Sequence, residues 1–89
     1  MELKGEDKAD PTPIRLICDE ISRLNDDSWL ESWFDEEVVE LYQSAIRLLS
    51  IEGKLGYDTV YIEDMIKNCL WRNGNARKAL EDAGVELLK

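Results

Sequence analysis

The longest run of a single hydrophobic period lies between Glu36 and Leu49, EEVVELYQSAIRLL. At about 100° per residue, Val38, Val39, Leu41, Tyr42, Ala45, Ile46, Leu48 and Leu49 occupy one half of a helix. Glu36, Glu37, Glu40, Gln43, Ser44 and Arg47 occupy the other half. An apolar half-cylinder is wider than a coiled-coil seam, so this helix is expected to meet neighbours on two sides, as the central helix of a bundle. Asp35 reads as its N-cap, Glu36 and Glu37 suit the positive end of the helix dipole, and Gly53 reads as its stop.

Shorter periodic segments flank it. Thr12-Pro13 reads as N-cap and first helical position, with Ile14, Ile17, Cys18, Ile21 and Leu24 following on one face and Asn25-Asp26-Asp27 ending the helix. Leu16 falls off that face and is expected under a loop. Gly53-Lys54-Leu55-Gly56 is a loop, and Asp58 or Thr59 caps the next helix, with Val60, Ile62, Met65, Ile66, Cys69 and Leu70 turned inward. The β-branched and aromatic content of Tyr57–Ile62 also admits a short strand, though without a partner. Asn73-Gly74 stops that helix, and Asn75 caps a last one carrying Ala76, Ala79, Leu80 and Ala83, which Gly84 ends. Val85, Leu87 and Leu88 form an apolar tail.

Ser28-Trp29-Leu30-Glu31 matches a capping box and predicts a further helix start. Run unbroken into Glu36–Leu49, it would set Trp29 and Trp33 on the side of Glu36, Glu40 and Arg47. Two tryptophans on a solvated acidic face are costly unless something covers them. The expectation is a bend at Asp35 that folds Trp29, Leu30, Trp33 and Phe34 onto the core; the alternative makes the tryptophans a contact site. The elements add up to an all-α fold, a compact bundle of four to five short helices. Residues 12–89 form one domain behind a flexible acidic leader over residues 1–11.

Charge sharpens this picture. From Lys67 onward five bases outnumber three acids, so about −11 of charge falls before Lys67 in a chain of net charge −9. Asp26, Asp27, Glu31, Asp35, Glu36, Glu37 and Glu40 form a block with no base between Arg23 and Arg47. Such a field disfavours nucleic acid and membrane surfaces and favours basic partners, although a solvated face would carry the same pattern. No apolar run is long enough to span a membrane, and the charged opening MELKGEDKAD is unlike a signal peptide, so a cytoplasmic location is expected.

The sequence holds little that could carry chemistry. It has no histidine, the commonest general base and metal ligand near neutral pH, and its two cysteines, Cys18 and Cys69, are far apart and outside any CxxC spacing. Both fall on apolar faces and are expected as buried free thiols, a disulfide between their helices being the alternative. Gly53-Lys54-Leu55-Gly56 lacks the spacing and hydroxyl of a phosphate loop, and the Asp26–Glu31 carboxylates lack the turn glycine of a calcium loop. No enzyme, metal or cofactor is expected.

Tyr61-Ile62, then Asn73-Gly74-Asn75-Ala76 through Ala83-Gly84-Val85, resembles the first two helices of helix-turn-helix domains of the Fis and phage-terminase kind. Those run as a helix, a "GN" cap, an alanine-centred helix and an "aGv" turn; Asn75, Ala79, Gly84 and Val85 stand at the matching positions. A small residue at Ala79 permits close helix contact and Gly84 a tight turn. Only Glu86-Leu87-Leu88-Lys89 follow, too few for a recognition helix, so direct base reading is not expected. The length, acidity and MELK opening are also similar to those of colicin immunity proteins. This sequence lacks their Asp-Leu-Ile-Tyr-Tyr-Pro segment, so what that likeness implies is only a class of mechanism, an acidic face occupying a basic enzyme's nucleic-acid site.

The leading expectation is a non-enzymatic interaction domain, an acidic inhibitor or adaptor that docks on a basic protein. Its surface would be Asp27, Glu31, Asp35, Glu36, Glu37 and Glu40, with Trp29 and Trp33 as aromatic anchors. A second reading is a helix-turn-helix-like nucleic-acid module using Lys67, Arg72, Arg77 and Lys78. A third is a homo-oligomeric structural domain that buries the tryptophans and the apolar tail against another copy.

Overall fold

Asp10 starts the first helix from outside: its Oδ1 accepts the Thr12 N–H at 3.0 Å, and the Pro11 carbonyl accepts the first helical bond from Arg15 at 2.7 Å. These hydrogen bonds from Thr12 hold the Asp10 carboxyl below its usual range. Thr12 is therefore a helical residue rather than the cap, and Pro13 sits among the first-turn positions whose N–H groups have no helical acceptor. The computed structural model describes residues 10–27, 29 and 34–88, Phe34 by its backbone alone. It comprises four helices, α1 (Thr12–Asp27), α2 (Phe34–Lys54), α3 (Val60–Arg72) and α4 (Gly74–Asp82), an all-α bundle with no strand element among the described residues.

α2 runs against α1, since Asp10 meets Glu52 at one end while Glu20 shares a cleft with Glu40 further along. α3 runs with α1, because Cys18 meets Cys69 and Ser22 meets Asn73. α4 closes the far end. The core is one cluster: Ile14, Cys18, Ile21 and Leu24 from α1; Val38, Tyr42, Ala45 and Leu49 from α2; Ile62, Ile66, Cys69 and Leu70 from α3; Ala76, Ala79 and Leu80 from α4. Fully burying one of the larger aliphatic side chains contributes about 1.5–3 kcal/mol, so Ile14, Leu24, Ile62 and Leu80, each at most 1% exposed, are the residues on which cohesion rests most.

α2 is not the helix that meets every other: α1 and α4 each pack against all three others, whereas α2 packs mainly against α1 and α4. The breadth of α2's apolar half does bring neighbours on two sides, but its outer rows, Val39, Leu41, Ile46 and Leu48, are only half-buried. On α1's narrower stripe Ile14, Cys18, Ile21 and Leu24 are buried, and only Ile17 is half-buried.

Several boundaries shift from the sequence-based reading. α2 begins at Phe34, so Asp35 joins Glu36 and Glu37 inside the first turn instead of capping it. The helix continues through Gly53, which keeps a helical backbone, to Lys54. The reversal falls at Gly56, φ 92°, where Gly56 N–H bonds to the Gly53 carbonyl at 3.0 Å and Tyr57 N–H to the Glu52 carbonyl at 3.1 Å. This pair of bonds closes the helix end through a left-handed residue, which glycine adopts without a Cβ penalty. Gly84, φ 78°, ends α4 in the same way, with Gly84 bonded to Glu81 and Val85 to Leu80, each at 3.0 Å.

Three apolar placements fail. Leu16 is 62% exposed rather than packed under a loop, Val60 is 64% exposed rather than inward, and Trp29 is 80% exposed in a turn rather than folded on the core. Val60 is the first residue of α3, ahead of the turn that meets α1, and no strand forms at Tyr57–Ile62 because Thr59's carbonyl already accepts helical bonds from Ile62 and Glu63. Ser28, Leu30, Glu31 and Trp33, the rest of the expected second helix start and its anchors, lie outside the described residues, as do residues 1–9 of the expected leader.

A single residue, Asn73, joins α3 to α4. It is 7% exposed and heavily bonded: its N–H reaches the Cys69 and Leu70 carbonyls, its Nδ2 donates to the Cys69 carbonyl at 2.7 Å and to Ser22 Oγ at 2.9 Å, and its carbonyl accepts the first bond of α4 from Arg77. Asn75, expected as the α4 cap, lies inside the first turn. The side-chain cap comes instead from α1, where Asn25 Oδ1 accepts the Asn75 N–H at 2.9 Å and the Ala76 N–H at 3.2 Å. Beyond Gly84 the chain is extended and returns along α2. Tyr42 Oη donates to the Glu86 carbonyl and accepts the Leu88 N–H, both at 3.0 Å, so Val85, Leu87 and Leu88 are half-buried within the same chain.

Candidate functional site

Helical spacing gathers the acidic block. Three and four residues apart, Glu36, Glu37 and Glu40 fall on adjoining faces of α2's first turns, and Asp35, Glu36, Glu37 and Glu40 are all exposed. Asp35, Glu36 and Glu40 rim a cleft of about 340 Å³ whose apolar lining is Val39 and Ala83. Glu40 also rims a second cleft, about 190 Å³, with Glu20, Glu37, Leu41 and Ser44. Carboxylates thus stand around strips of aliphatic surface on both sides of Glu40. Among the described residues, none of Asp35, Glu36 and Glu40 forms an ion pair.

A base beside the block, Arg23, is already engaged. Arg23 donates from Nε to Glu20 at 3.2 Å, from a second nitrogen to the other Glu20 oxygen, and to Asp27 at 3.5 Å. The Arg23 hydrogen bond holds the Glu20 carboxyl below its usual range, while Glu20 above all, with Asp27 and Glu37, pushes the guanidinium up. Asp27 therefore belongs to this ion-paired edge rather than to the open carboxylates. Trp29 is exposed, and Glu31 and Trp33 lie outside the described residues.

The four basic residues do not share one cleft. Lys67 and Arg77 line a cleft of about 340 Å³ with Leu70, Trp71, Leu87 and Leu88, and the Arg77 guanidinium lies 5.1 Å from the centre of the Trp71 ring. Arg72 instead borders a different cleft, and Lys78 is exposed outside both. Trp71, 77% exposed, is absent from the candidate residues drawn from sequence. Its signal was available: one step of about 100° beyond Leu70 carries it off the Ile62–Ile66–Cys69 stripe.

The fold also joins what the chain keeps apart. Cys18 and Cys69 are both buried and line one cleft of about 280 Å³ with Arg15, Asp19, Ser22, Met65 and Arg72. Cys69 Sγ lies 3.6 Å from the Cys18 carbonyl and 3.6 Å from Asn73 Nδ2. The neighbouring Cys18 side chain, then Asn73 and Ser22 and the Arg72 charge, draw the Cys69 thiol below its usual range against its burial. The Cys18 thiol is pushed far up by the same Cys69 contact and by burial.

A further cleft, about 490 Å³, runs between α2 and the returning tail and is lined by Tyr42, Gln43, Ile46, Val85, Glu86, Leu87 and Leu88. It is mainly aliphatic, and the Tyr42 hydroxyl facing the tail is tied up by the tail itself, burial raising its phenol above the usual range. No group of three or more Cys, Asp or Glu side chains among the described residues is placed to hold a metal ion, and none of their helices is long and apolar enough to cross a membrane. No family model, curated protein or solved structure matches the chain.

Proposed function

We propose that this domain is a non-enzymatic acidic docking module that binds a basic segment of another protein across the first turns of α2. Asp35, Glu36 and Glu40 would face the partner's lysines or arginines, and Val39 and Leu41 their aliphatic stems, with Trp29 a neighbouring aromatic contact. Long basic side chains bury their stems along apolar surface while the charge stays at the rim, which is what the two clefts around Glu40 offer. One observation carries the reading: these carboxylates are exposed and without ion pairs among the described residues, beside an apolar strip, so association removes no existing salt bridge. Opposite charge accelerates encounter, while desolvated apolar contacts set the lifetime. Inhibition of a basic enzyme and adaptor function are both forms of this reaction.

The test is titration of the labelled domain with an amphipathic lysine–leucine peptide, followed by backbone amide NMR. Shifts concentrated at residues 35–41 are expected. Glu40→Gln and Val39→Ser should each weaken binding several-fold, and salt should weaken it in both. Shifts spread evenly over the chain, or affinity indifferent to both substitutions, would overturn the proposal.

One observation favours a second reading. Trp71 is exposed and stacked with Arg77 beside Lys67, a combination suited to an unpaired base and its phosphate. A single-stranded oligonucleotide that bound at low salt and was lost on Trp71→Ala would support it. Absence of binding at low salt would remove it.

A further inference from the structure

We infer that Cys18 and Cys69 form a peroxide-reactive dithiol, a modification site at which the fold converts two buried thiols into an intramolecular disulfide. The placement is tertiary: α1 and α3 run in the same direction, and their packing sets both cysteines in the wall of one cleft, with Cys69 Sγ 3.6 Å from the Cys18 carbonyl. An S–S bond of roughly 2 Å then calls on rotation of the two side chains within the cleft they share. The cleft measures about 280 Å³, against about 30 Å³ for one water molecule in the liquid. It therefore suits a small oxidant such as hydrogen peroxide better than a bulky disulfide.

The surroundings divide the labour between the sulfurs. Asn73 Nδ2 points at Cys69 Sγ, and Arg72 borders the cleft, so both favour a thiolate at Cys69. Arg15 and Asp19 also line the cleft, one of each sign, so the Arg72 charge is not cancelled. Cys18 is kept as the thiol by its neighbour and by burial. Cys69 thiolate attacks one peroxide oxygen: the S–O bond forms, the O–O bond breaks, and the departing hydroxide takes up the proton that Cys69 released, leaving water and a sulfenic acid. Cys18 sulfur then attacks Cys69 sulfur. The S–S bond forms, the S–O bond breaks, and the hydroxyl leaves with the Cys18 proton as a second water. Two thiols have lost two hydrogens and two electrons to one peroxide.

The full-length reduced chain is exposed to hydrogen peroxide, quenched, unfolded, alkylated and weighed, and its peptides are mapped. The expected result is joint loss of both thiols in monomeric chains, a Cys18–Cys69 cross-link, and a thermal midpoint raised by on the order of 10 °C and restored by dithiothreitol. With Cys18→Ser, oxidation should stop at a sulfenic acid on Cys69 that dimedone traps. With Cys69→Ser, Cys18 should survive the same exposure. If either variant fails to fold by circular dichroism, the wild-type cross-link decides alone. Thiols that stay alkylatable in the native chain while a urea-unfolded sample oxidises would overturn the inference. So would disulfides found only between chains, or oxidation of one cysteine without the link.

Discussion

Truncating Asn25 should loosen α4 from fifty residues away. Its Oδ1 is the side-chain acceptor for two first-turn N–H groups of α4, those of Asn75 and Ala76. Asn75 is exposed, and there water replaces the lost acceptor; Ala76 is 1% exposed, and there it does not. A lost cap costs about 1 kcal/mol and up to about 2, and a buried donor left unpaired costs about 1–3. For Asn25→Ala we therefore expect about 2 kcal/mol, the greater part from Ala76. On a domain of this size that lowers the thermal midpoint by about 10 °C. Asn25→Asp keeps the acceptor and adds a charge that the N-terminal end of α4 favours, so it should preserve the cap on Ala76. Urea unfolding followed by circular dichroism measures both, and amide exchange at Ala76 should rise in the alanine variant alone. An alanine variant within about 0.5 kcal/mol of wild type, or an aspartate variant whose Ala76 amide exchanges as fast as in the alanine one, would refute the capping argument.

Three further outcomes follow from the geometry. Tyr42→Phe removes the hydroxyl that bonds both Glu86 and Leu88, and should cost about 1–2 kcal/mol while accelerating amide exchange at Leu88. Alanine at Gly53, which is helical and meets nothing within 4 Å, should stabilise by about 0.5–1 kcal/mol, whereas alanine at Gly56 should destabilise by about 1 kcal/mol because of its φ of 92°; denaturant midpoints separate the two. Iodoacetamide labelling of the folded chain should select Cys69 over Cys18 and rise through a midpoint below the ordinary thiol range, since Cys69 is the thiol its neighbours draw down and Cys18 the one they push up. In the unfolded chain both cysteines should label alike, near the ordinary thiol range.

Helix content, the inward stripes and the acidic face could be read from the chain because they depend on local spacing. Ile14, Cys18, Ile21 and Leu24 recur at three and four residues, as do Ile62, Ile66, Cys69 and Leu70, and each set is buried. Glu36, Glu37 and Glu40 are exposed on α2 for the same reason. What periodicity misjudged were ends and hierarchy. Gly53 and Gly56 look alike as letters, and the positive φ goes to Gly56, where a second glycine bond and the Tyr57–Glu52 bond close the turn. Val60 and Leu16 have apolar side chains without a neighbouring element to cover them, a fact of packing that spacing does not contain.

Tertiary structure alone decided the rest. It set α1 and α4 each against all three other helices, though α2 carries the broader apolar face. It took the cap of α4 from Asn25, and it returned the apolar tail to Tyr42. It separated Arg72 from Lys67 and Arg77, and brought Cys18 to Cys69 across fifty residues of chain. Local pattern determines which face of a helix is apolar, because that depends on angles between near neighbours. Which groups meet depends on how whole helices run against one another, and that is settled only when all the faces are buried at once.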